Sequence, residues 1–301
     1  MDQHLQVFVA VAEKRNFSRA AEELHMTQPS VSQYIRMLEE KFGTKLLERT
    51  NKYVRLNKAG EIVYHHAKEI LGLYTKTQTL IDDLMNQAKG PLSIGASYTF
   101  GEYVLPRILA KLHKTYPDLE PALTIGNTAK IAHLVTSHQL DIGIVEGNFK
   151  DKQLYVEDFA EDYMVVVASP DHEFVRRDGY IATRELEEEM WIVRELGSGT
   201  REATEKMFEE IGISPERKIN VGSTQSIKEV VEEGLGISLL SQWAVQKELK
   251  NGDLKIIKVK GLPFSRQFSI ITQTPFQTKS LEVFKNLLYK ERLSVGGAEV
   301  E

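Results

Sequence analysis

The sequence predicts a mixed α + α/β fold, with a small helical domain at the N-terminus, one long helix after it and a large α/β body. Three observations support this order. Two helical patterns separated by a short break occupy residues 17–36, a heptad pattern occupies residues 61–88, and strand and helix patterns alternate from residue 92 onward. With 301 residues and 42% hydrophobic composition, the chain is long enough for about two or three domains.

The first domain is predicted to contain a helix-turn-helix. We expect Ser18 to cap the first helix and Pro29 to lie in the first turn of the second, where its missing N–H costs little. Small and apolar residues of the first helix would be buried, namely Ala20, Ala21 and Leu24. An amphipathic helix before the motif, with Leu5 and Phe8 on its apolar face, would complete a three-helix core.

The second helix of the motif has two faces of different chemistry. Val31, Ile35 and Leu38 follow the spacing of one buried stripe. The opposite face would carry short, uncharged or basic side chains, namely Pro29, Ser32, Gln33 and Arg36. Hydroxyl and amide groups can read base edges and Arg can pair with guanine or phosphate, so this face indicates a recognition helix for double-stranded DNA. The alternative is an ordinary helical domain with a solvated polar face.

Residues 43–58 predict a short hairpin, or wing, in which Arg49, Lys52 and Arg55 are interleaved with apolar residues. Residues 1–58 hold ten Lys and Arg against seven Asp and Glu, a net charge of +3. The whole chain carries −5, so the remainder carries −8. A basic N-terminal domain on an acidic body favours contact with the DNA backbone.

Residues 61–88 contain no Pro and one Gly, which predicts a single helix about 40 Å long at about 1.5 Å per residue. Eight residues lie at heptad a and d spacing and form a predicted seam: Val63, His66, Ile70, Leu73, Thr77, Leu80, Leu84 and Gln87. A seam of this length needs a partner surface, so we expect it to pair with a second copy of the chain. The alternative is that the seam packs on the chain's own body.

From residue 92 the alternation of strands and helices is that of a parallel α/β fold. The first unit is predicted to hold strands at 92–96, 122–126 and 141–145 and helices at 103–116 and 128–137. The second is predicted to hold strands at 163–168, 191–193, near 219 and at 237–240, with helices after Gly199 and at 225–233. A strand at 267–273 and a helix at 277–290 would close the body.

Residues 1–60 resemble the N-terminal winged helix-turn-helix of LysR-type transcriptional regulators, and the resemblance extends over the whole chain. The marks of that family stand here as Phe8, Ala12, Phe17, Ser18, Ala20, Ala21, Leu24, Gln28, Pro29, Ser30, Ser32, Ile35, Leu38, Glu39, Leu46, Leu47, Arg49, Ala59 and Gly60. The chain departs from the family pattern at Asn57, which can still cap the next helix, and at Gln33 and Lys52, where many members carry Arg. The overall pattern looks closest to Gram-positive activators of sulfur assimilation and cysteine biosynthesis.

The resemblance implies three parts. They are a winged helix-turn-helix DNA-binding domain at 1–58, a linker helix for dimerisation at 59–89 and an effector-binding regulatory domain at 90–301. The regulatory domain would have the two-lobed architecture of periplasmic binding proteins, with lobe I at about 90–160 and 267–301 and lobe II at about 161–266. Strands would cross between the lobes near residues 148–160 and 261–267.

The resemblance also implies partners and contacts. The expected partners are operator DNA, a small-molecule effector, RNA polymerase and further copies of the chain in a homodimer or homotetramer. The residues expected to contact DNA are Ser18, Gln28, Pro29, Ser30, Ser32, Gln33, Arg36, Arg49 and Lys52. No cofactor is expected besides the effector.

Ligands in two-lobed folds bind between the lobes, where strands end and helices begin. The loops expected there are rich in small hydroxyl residues, and the residues predicted to contact an effector are Ser97, Thr99, Thr128, Ser198, Thr200 and Arg201. Free backbone N–H groups, hydroxyls and one Arg suit a small anion such as a carboxylate or an oxyanion. The alternative is ordinary helix capping, for which Ser and Thr are preferred anyway.

Several kinds of site and location are disfavoured by the sequence. The chain has no Cys, and therefore no disulfide, thiolate nucleophile or Cys-based metal site. His65 and His66 are adjacent, and we expect them to point to different sides of a helix, so no metal site is predicted. No signal peptide opens the sequence and no run of about 18 apolar residues occurs. We therefore expect a cytoplasmic protein without membrane contact.

Enzyme motifs are also missing, and no catalytic residue is predicted. Residues 95–99 lack the final Gly of the G-x-S-x-G nucleophile elbow, and no phosphate loop of the G-x-x-x-x-G-K-[ST] type occurs. Two other classes of protein remain open: a phosphorylation-controlled response regulator and a DNA-tethered α/β enzyme. Comparing the response to ligand titration with the response to a phosphodonor distinguishes an effector-controlled regulator from a response regulator. A substrate screen tests for an enzyme.

Overall fold

The computed structural model describes residues 2–49, 53–83, 88–147, 149–273 and 278–291. These residues form two compact units, the first consisting mainly of residues up to 83 and the second mainly of residues from 88 onward. None of the helices in these ranges combines the length and the apolarity that crossing a lipid bilayer requires.

In the described part of the first unit, four helices accompany a two-stranded wing. The elements are α1 (Asp2–Lys14), α2 (Phe17–Glu23), α3 (Gln28–Phe42), β1 (Leu47–Arg49), β2 (Val54–Leu56) and α4 (Lys58–Asp83). β1 and β2 pair antiparallel, which confirms the predicted hairpin. The core consists of apolar residues of the helices and the wing, among them Phe8, Ala20, Val31, Ile35 and Leu46. The predicted helix-turn-helix and its buried stripe are therefore confirmed.

The first helix of the motif begins two residues earlier than the sequence predicts. Asn16 caps it, since its Oδ1 accepts the backbone N–H groups of Ser18 at 2.8 Å and Arg19 at 3.0 Å. Asn16 has the extended backbone of an N-cap residue, whereas Ser18 is an exposed residue inside the first turn. The prediction that Ser18 caps the helix was wrong, because the carboxamide two residues earlier already satisfies the free N–H groups.

The ends of α3 and α4 follow their sequence signals. Pro29 lies in the first turn of α3, and Gly43 ends the helix in the left-handed region at φ 66°. Asn57 caps α4 as expected, because its Oδ1 accepts the N–H of Gly60 at 2.8 Å. A Cβ at Gly60 would lie 2.0 Å from the carbonyl oxygen of Leu46, so only glycine fits where α4 passes the wing.

The second unit contains two α/β lobes in its described part. Its first elements are β3 (Gly90–Ser97), a π-helical turn (Phe100–Val104), α5 (Leu105–Thr115), β4 (Leu119–Gly126), α6 (Thr128–Thr136), β5 (Ile142–Glu146) and β6 (Tyr155–Ala168). They are followed by a 3₁₀ turn (Glu173–Arg176), α7 (Thr183–Glu188), β7 (Trp191–Arg194), α8 (Gly199–Ile211), β8 (Lys218–Val221), α9 (Thr224–Glu232), β9 (Ser238–Ser241), α10 (Gln242–Asn251), β10 (Lys255–Ile256), β11 (Phe264–Thr272) and α11 (Lys279–Lys290).

Lobe I is built on the parallel strands β3, β4 and β5, and lobe II on β7, β8, β9 and β10. β6 and β11 pair antiparallel and belong to both lobes. β11 pairs with β5 of lobe I through residues 268–271, while β6 pairs with β9 of lobe II through residues 164–167. The predicted two-lobed fold with crossing strands is confirmed, and the hydroxyl-rich loops lie where the parallel strands end.

Several elements of the second unit differ from the prediction, since α7 and β10 were not predicted and two larger differences concern α5 and α10. The helix expected from residue 103 is instead a π-helical turn followed by α5, which begins at Leu105 with Pro106 in its first turn. α10 was not predicted. It follows β9 directly, because Ser241 ends the strand and also caps the helix, accepting the N–H of Trp243 at 3.1 Å. Ser241 at its start and Gly252 in the left-handed region at its end are helix start and stop signals that the prediction overlooked.

Candidate functional site

The polar face of α3 is open to solvent. Its exposed residues are Gln28, Pro29, Gln33 and Arg36. Its half-buried residues are Ser30 and Ser32. The Arg36 side chain is 77% exposed, and its Nε lies 2.9 Å from Oε1 of Glu40. An exposed ion pair contributes only about 0–1 kcal/mol, so the guanidinium can leave Glu40 for another partner. Lys52 lies outside the described residues.

The wing is tied to α3 through one buried carboxylate. Glu39 accepts hydrogen bonds from Nζ of Lys45 at 2.9 Å and from the backbone N–H of Leu46 at 3.1 Å. Nη2 of Arg49 lies 3.4 Å from the same carboxylate, and the Arg49 guanidinium lies over the ring of Phe17, 4.8 Å from its centroid. Arg49, one of the predicted DNA contacts, is therefore held beside the motif helices.

Glu39 was not predicted as a functional residue, although a signal existed. It adjoins Leu38 and follows Ile35 by four positions, so it stands beside the buried stripe of α3. A carboxylate there must find partners. Burial works against the ionised form of Glu39, but the hydrogen bonds from Lys45 and Leu46 and the nearby positive charges outweigh burial and lower the pKa of this carboxyl.

We expect Glu39→Gln to loosen the wing. Hydrogen bonds to a charged group contribute about 1.5–3 kcal/mol, and the substitution removes the charge. Because the folded-state pKa is lowered, the contribution is complete above the ordinary glutamate pKa of about 4.3 and is lost as pH falls through the folded-state pKa. Hydrogen exchange of the wing strands in the full chain should be faster in the variant at pH 7, and the difference should shrink in acid.

The matched control is Glu40→Gln, which removes the same charge from the next residue. The Glu40 side chain is 62% exposed and, among the described residues, pairs with exposed Arg36, so exchange of the wing should stay as in the wild type. Equal exchange in Glu39→Gln and wild type at pH 7 would contradict the anchoring role of Glu39.

One side of α4 carries an exposed apolar stripe. Its five large side chains are 48% to 63% exposed: Ile62, Ile70, Leu73, Tyr74 and Ile81. Ile70 and Leu73 belong to the predicted seam, but Val63 packs into the core of the first unit, because the beginning of α4 lies along α1 with Ala67 buried. The placement of Val63 in the seam was therefore wrong. Seam positions outside the described residues are Leu84, Gln87 and the side chain of Leu80.

His65 and His66 both turn toward Glu69. Nε2 of His65 lies 3.3 Å, and Nδ1 of His66 2.9 Å, from the carboxylate oxygens. The expectation that the two histidines point to different sides of the helix was wrong, because positions three and four residues before Glu69 both adjoin it. Within the described ranges this is the one trio of His, Asp or Glu whose potential ligand atoms all lie within 4.8 Å. Hydrogen bonding among exposed and half-buried side chains accounts for it.

Five of the six residues predicted to contact an effector are buried in the cleft between the lobes. They are Ser97, Thr99, Thr128, Ser198 and Thr200, with exposures of 1% to 7%. Ser97 ends β3 and Thr128 begins α6, and their hydroxyl oxygens lie 3.2 Å apart in lobe I. Ser198 caps α8 in lobe II. The cleft thus brings hydroxyl groups of both lobes together.

A buried ion-pair cluster, which was not predicted, lies at the centre of this cleft. Arg266 of β11 pairs with Glu146 at the end of β5 at 2.9 Å and with Asp162 of β6 at 2.7 Å, and all three side chains are at most 2% exposed. Burial works against the charge of Arg266, but the two carboxylates outweigh it and raise the pKa of Arg266. Burial raises the pKa of Asp162 in spite of the adjacent guanidinium.

Arg266 and Glu146 bind two of the predicted residues. Nη2 of Arg266 donates to Oγ1 of Thr99 and Nη1 to Oγ1 of Thr200, both at 3.0 Å. The Glu146 carboxylate accepts the backbone N–H of Thr99 at 2.8 Å and that of Phe100 at 3.4 Å. The Thr200 hydroxyl lies 3.4 Å from the same carboxylate. One carboxylate therefore collects donors from both lobes.

Arg201, the sixth predicted residue, has other partners. Its Nε pairs with Glu205 at 2.6 Å, and its Nη1 donates to Oδ1 of Asn220 at 2.6 Å. Arg201 lines, together with Thr128 and Ser198, a cavity of about 650 Å³. The predicted effector residues thus fall into two adjoining groups, one around the buried ion pairs and one along this cavity.

Known proteins match the chain over nearly its whole length. The family model of the LysR substrate binding domain matches residues 85–292, and that of the bacterial regulatory helix-turn-helix protein, lysR family, matches residues 3–61. The HTH-type transcriptional regulator CysL of Bacillus subtilis is 38% identical to the chain over 285 residues, which cover 94% of this chain and 95% of CysL.

Solved structures show the same architecture. Full-length CbnR complexed with the target DNA aligns with a TM-score of 0.72 over 96% of this chain and 99% of CbnR, at 20% identity. The regulatory domain of CcmR from Synechocystis PCC6803, in complex with 2-PG, aligns with a TM-score of 0.62 over 67% of this chain and 97% of that domain, at 28% identity. Both units of the chain therefore have counterparts of known fold.

Proposed function

Because this chain belongs to the LysR family of bacterial transcriptional regulators, we propose that it binds operator DNA through α3 and that a small anionic effector in the cleft modulates this binding. The observation that carries the DNA contact is the exposed polar face of α3, where Arg36 has only a weak ion pair. Arg49, held by Glu39, would contact phosphate beside it. CbnR, which has the same fold, is solved with the target DNA.

A regulator of this kind reads two half-sites and needs two copies. The α4 stripe supports pairing through α4, because large apolar side chains lined up on one helix face need a partner surface. We propose a homodimer through α4 as the basic unit of a dimer or tetramer. RNA polymerase is a further proposed partner.

The chemistry of the cleft supports an anion as effector. Thr99 and Thr200 contribute hydroxyl groups beside Arg266, and a guanidinium with hydroxyl and N–H donors is a common site for carboxylates and oxyanions. The proposed contacts are Ser97, Thr99, Thr128, Ser198, Thr200 and Arg201, with Arg266 in addition. CcmR, a relative by structure, is solved with the small molecule 2-PG in its regulatory domain.

We also propose a role in sulfur metabolism, with an oxyanion of sulfur or a small carboxylate as the effector. The similarity of the overall sequence pattern to Gram-positive activators of sulfur assimilation supports this assignment. The 38% identity with CysL, over nearly the full length of both chains, supports it as well.

The experiment begins with selection of an operator from random duplex DNA by the full-length chain. Thermal-shift screening with sulfate, sulfite, thiosulfate and small carboxylates then identifies the anion, and fluorescence anisotropy at fixed salt measures operator affinity with and without it. We expect a change of about 5-fold to 150-fold, and operator DNA should change anion affinity by the same factor. A response to acetyl phosphate, with none to free anions, would favour the response regulator instead.

Thr99→Ala should remove this effector response. The substitution deletes a hydroxyl that accepts a hydrogen bond from Arg266 at the centre of the cleft, so the anion and the lobes lose a shared contact. The control is Thr115→Ala, which removes an exposed threonine hydroxyl at the end of α5. Undiminished calorimetric binding of the anion to Thr99→Ala would place the effector site elsewhere.

A further inference from the structure

We propose that the carboxylate of Glu146 competes with the effector for one anion position, so that a small carboxylate or oxyanion binds by displacing it. The inference rests on the proposed function, because it concerns the same cleft. It makes Glu146 a determinant of effector affinity, although the residue was not among those predicted to contact the effector.

The Glu146 carboxylate is bound as an anion from solution would be. Oε1 accepts the backbone N–H groups of Thr99 at 2.8 Å and Phe100 at 3.4 Å. Oε2 lies 2.9 Å from Nη1 of Arg266 and 3.4 Å from the Thr200 hydroxyl. Backbone N–H groups, a hydroxyl and a guanidinium are the donors that proteins use for carboxylates, sulfates and phosphates. The chain therefore fills its own anion position.

Arg266 has a second counter-ion that does not depend on Glu146. Two of its nitrogens, Nε and Nη2, lie 2.7 Å from Oδ2 of Asp162, and the Ser241 hydroxyl donates to Oδ1 of Asp162 at 2.6 Å. Asp162 is thereby fixed in the middle of β6. With Glu146 included, this buried cluster holds two acidic groups for one basic group. Another anion can therefore replace Glu146 without leaving Arg266 unpaired.

An effector anion cannot simply join Glu146. A third negative charge beside one guanidinium would be repelled strongly in a site shielded from water. Through Thr128, the backbone of Glu146 lies next to the cavity of about 650 Å³. The Thr128 hydroxyl donates to the carbonyl oxygen of Glu146 at 3.3 Å, and Thr128 also lines that cavity. If the effector anion takes the place of the Glu146 carboxylate, the net charge around Arg266 stays the same.

The lining of the cavity also works against simple anions. Glu202, Glu205 and Glu209 face it, against Arg201 and Lys206. A net negative lining lowers the local concentration of anions. Both this lining and the internal carboxylate should therefore keep the affinity of the wild-type chain for common anions low, so that an effector needs further contacts to displace Glu146.

The test removes the internal carboxylate and supplies one from solution. In the full-length Glu146→Ala variant, sodium acetate or sodium sulfate should raise the melting temperature with increasing concentration, as a ligand of the folded state does. Sodium chloride at equal ionic strength is the reference. The same salts should stabilise the wild type much less. Calorimetry should show that acetate or sulfate binds the variant at least about tenfold more tightly than the wild type.

Two further variants separate the anion position from a general charge effect. Glu161→Ala removes one negative charge from an exposed position of β6, where the carboxylate bonds to Tyr163 and Gln267. It should gain no response to acetate or sulfate. Glu146→Gln is neutral but still fills the position, so its gain should be much smaller than that of Glu146→Ala.

Equal responses to anions in the wild type and Glu146→Ala would overturn the inference. So would a Glu146→Ala chain that stays unfolded at every acetate and sulfate concentration, because Glu146 would then be a fixed structural counter-ion. Operator binding by the wild type, measured on the same preparations, separates the two levels. If the wild type binds its operator but Glu146→Ala does not respond to acetate or sulfate, only this inference is wrong. If the wild type does not bind an operator, the proposed function is wrong.

Discussion

Replacing both Ile70 and Leu73 with Glu should convert the oligomer of this chain into a monomer. The two side chains are 48% and 49% exposed in the middle of the α4 stripe. An unpaired charge buried in an interface costs several kcal/mol, and each copy would bring two. Since about 1.4 kcal/mol corresponds to tenfold in affinity, the dissociation constant of the dimer should rise by more than about a thousandfold. Sedimentation velocity at matched concentrations measures this directly.

Thr75→Glu is the control for the stripe. It adds a negative charge to the same helix, but Thr75 follows Leu73 by two positions and so points away from the stripe at about 100° per residue. Its oligomeric state should equal that of the wild type. If the double variant sediments like the wild type, the copies associate through another surface. The same double variant should also lose tight operator binding, because single heads bind single half-sites.

Arg36→Ala should abolish sequence-specific binding to the operator. A good bidentate contact of Arg with a base contributes about 1–3 kcal/mol of discrimination, and a dimer would lose two such contacts. The α3 fold should survive, because the Arg36 side chain is 77% exposed and contributes only an exposed ion pair. Fluorescence anisotropy with operator and with scrambled duplex, at several salt concentrations, separates specific from non-specific binding.

Arg184→Ala is a closely matched control for Arg36→Ala. Arg184 is also an exposed helical Arg whose Nε pairs with a Glu four residues later, Glu188, at 3.0 Å. It lies in the second unit, and its removal should leave operator affinity unchanged. Arg49→Ala and Lys52→Ala should instead weaken specific and non-specific binding alike and reduce the salt slope by about one unit each. Full affinity and selectivity of Arg36→Ala would refute the assignment of the recognition face.

In the first unit, local sequence signals predicted the helices and their buried residues. Pro29, the spacing of Val31, Ile35 and Leu38, and the cap at Asn57 act over one or two helical turns, so the helices and the buried stripe are found where they were predicted. The one wrong cap, Ser18 instead of Asn16, was an error between two cap-forming residues two positions apart. The contact between Glu39 and the wing was harder to predict from the sequence, because it depends on how the hairpin packs against α3.

In the second unit, local sequence signals predicted part of the candidate site but not its central charged residue. The hydroxyl residues were found because strand ends and helix starts have a local composition, and Thr99 and Thr200 do lie in the cleft. Their main partner, Arg266, was not found. It lies near the start of β11, just before the strand predicted at 267–273, and is 167 positions from Thr99 and 66 from Thr200. Nothing in the residues next to Arg266 indicates which carboxylates will neutralise it.

The sequence by itself therefore determined the order of most elements, the exposed face of α3 and, through family resemblance, the two lobes. Periodicity, caps and turns involve residues a few positions apart, and their physics is visible in a short stretch of chain. Only the tertiary structure decided the charge of the cleft. Arg266 meets Asp162, 104 positions away, and Glu146 because β11 lies between β5 and β6 in one sheet. Burial there makes their pairing obligatory, since an unpaired charge out of contact with water is too costly to keep.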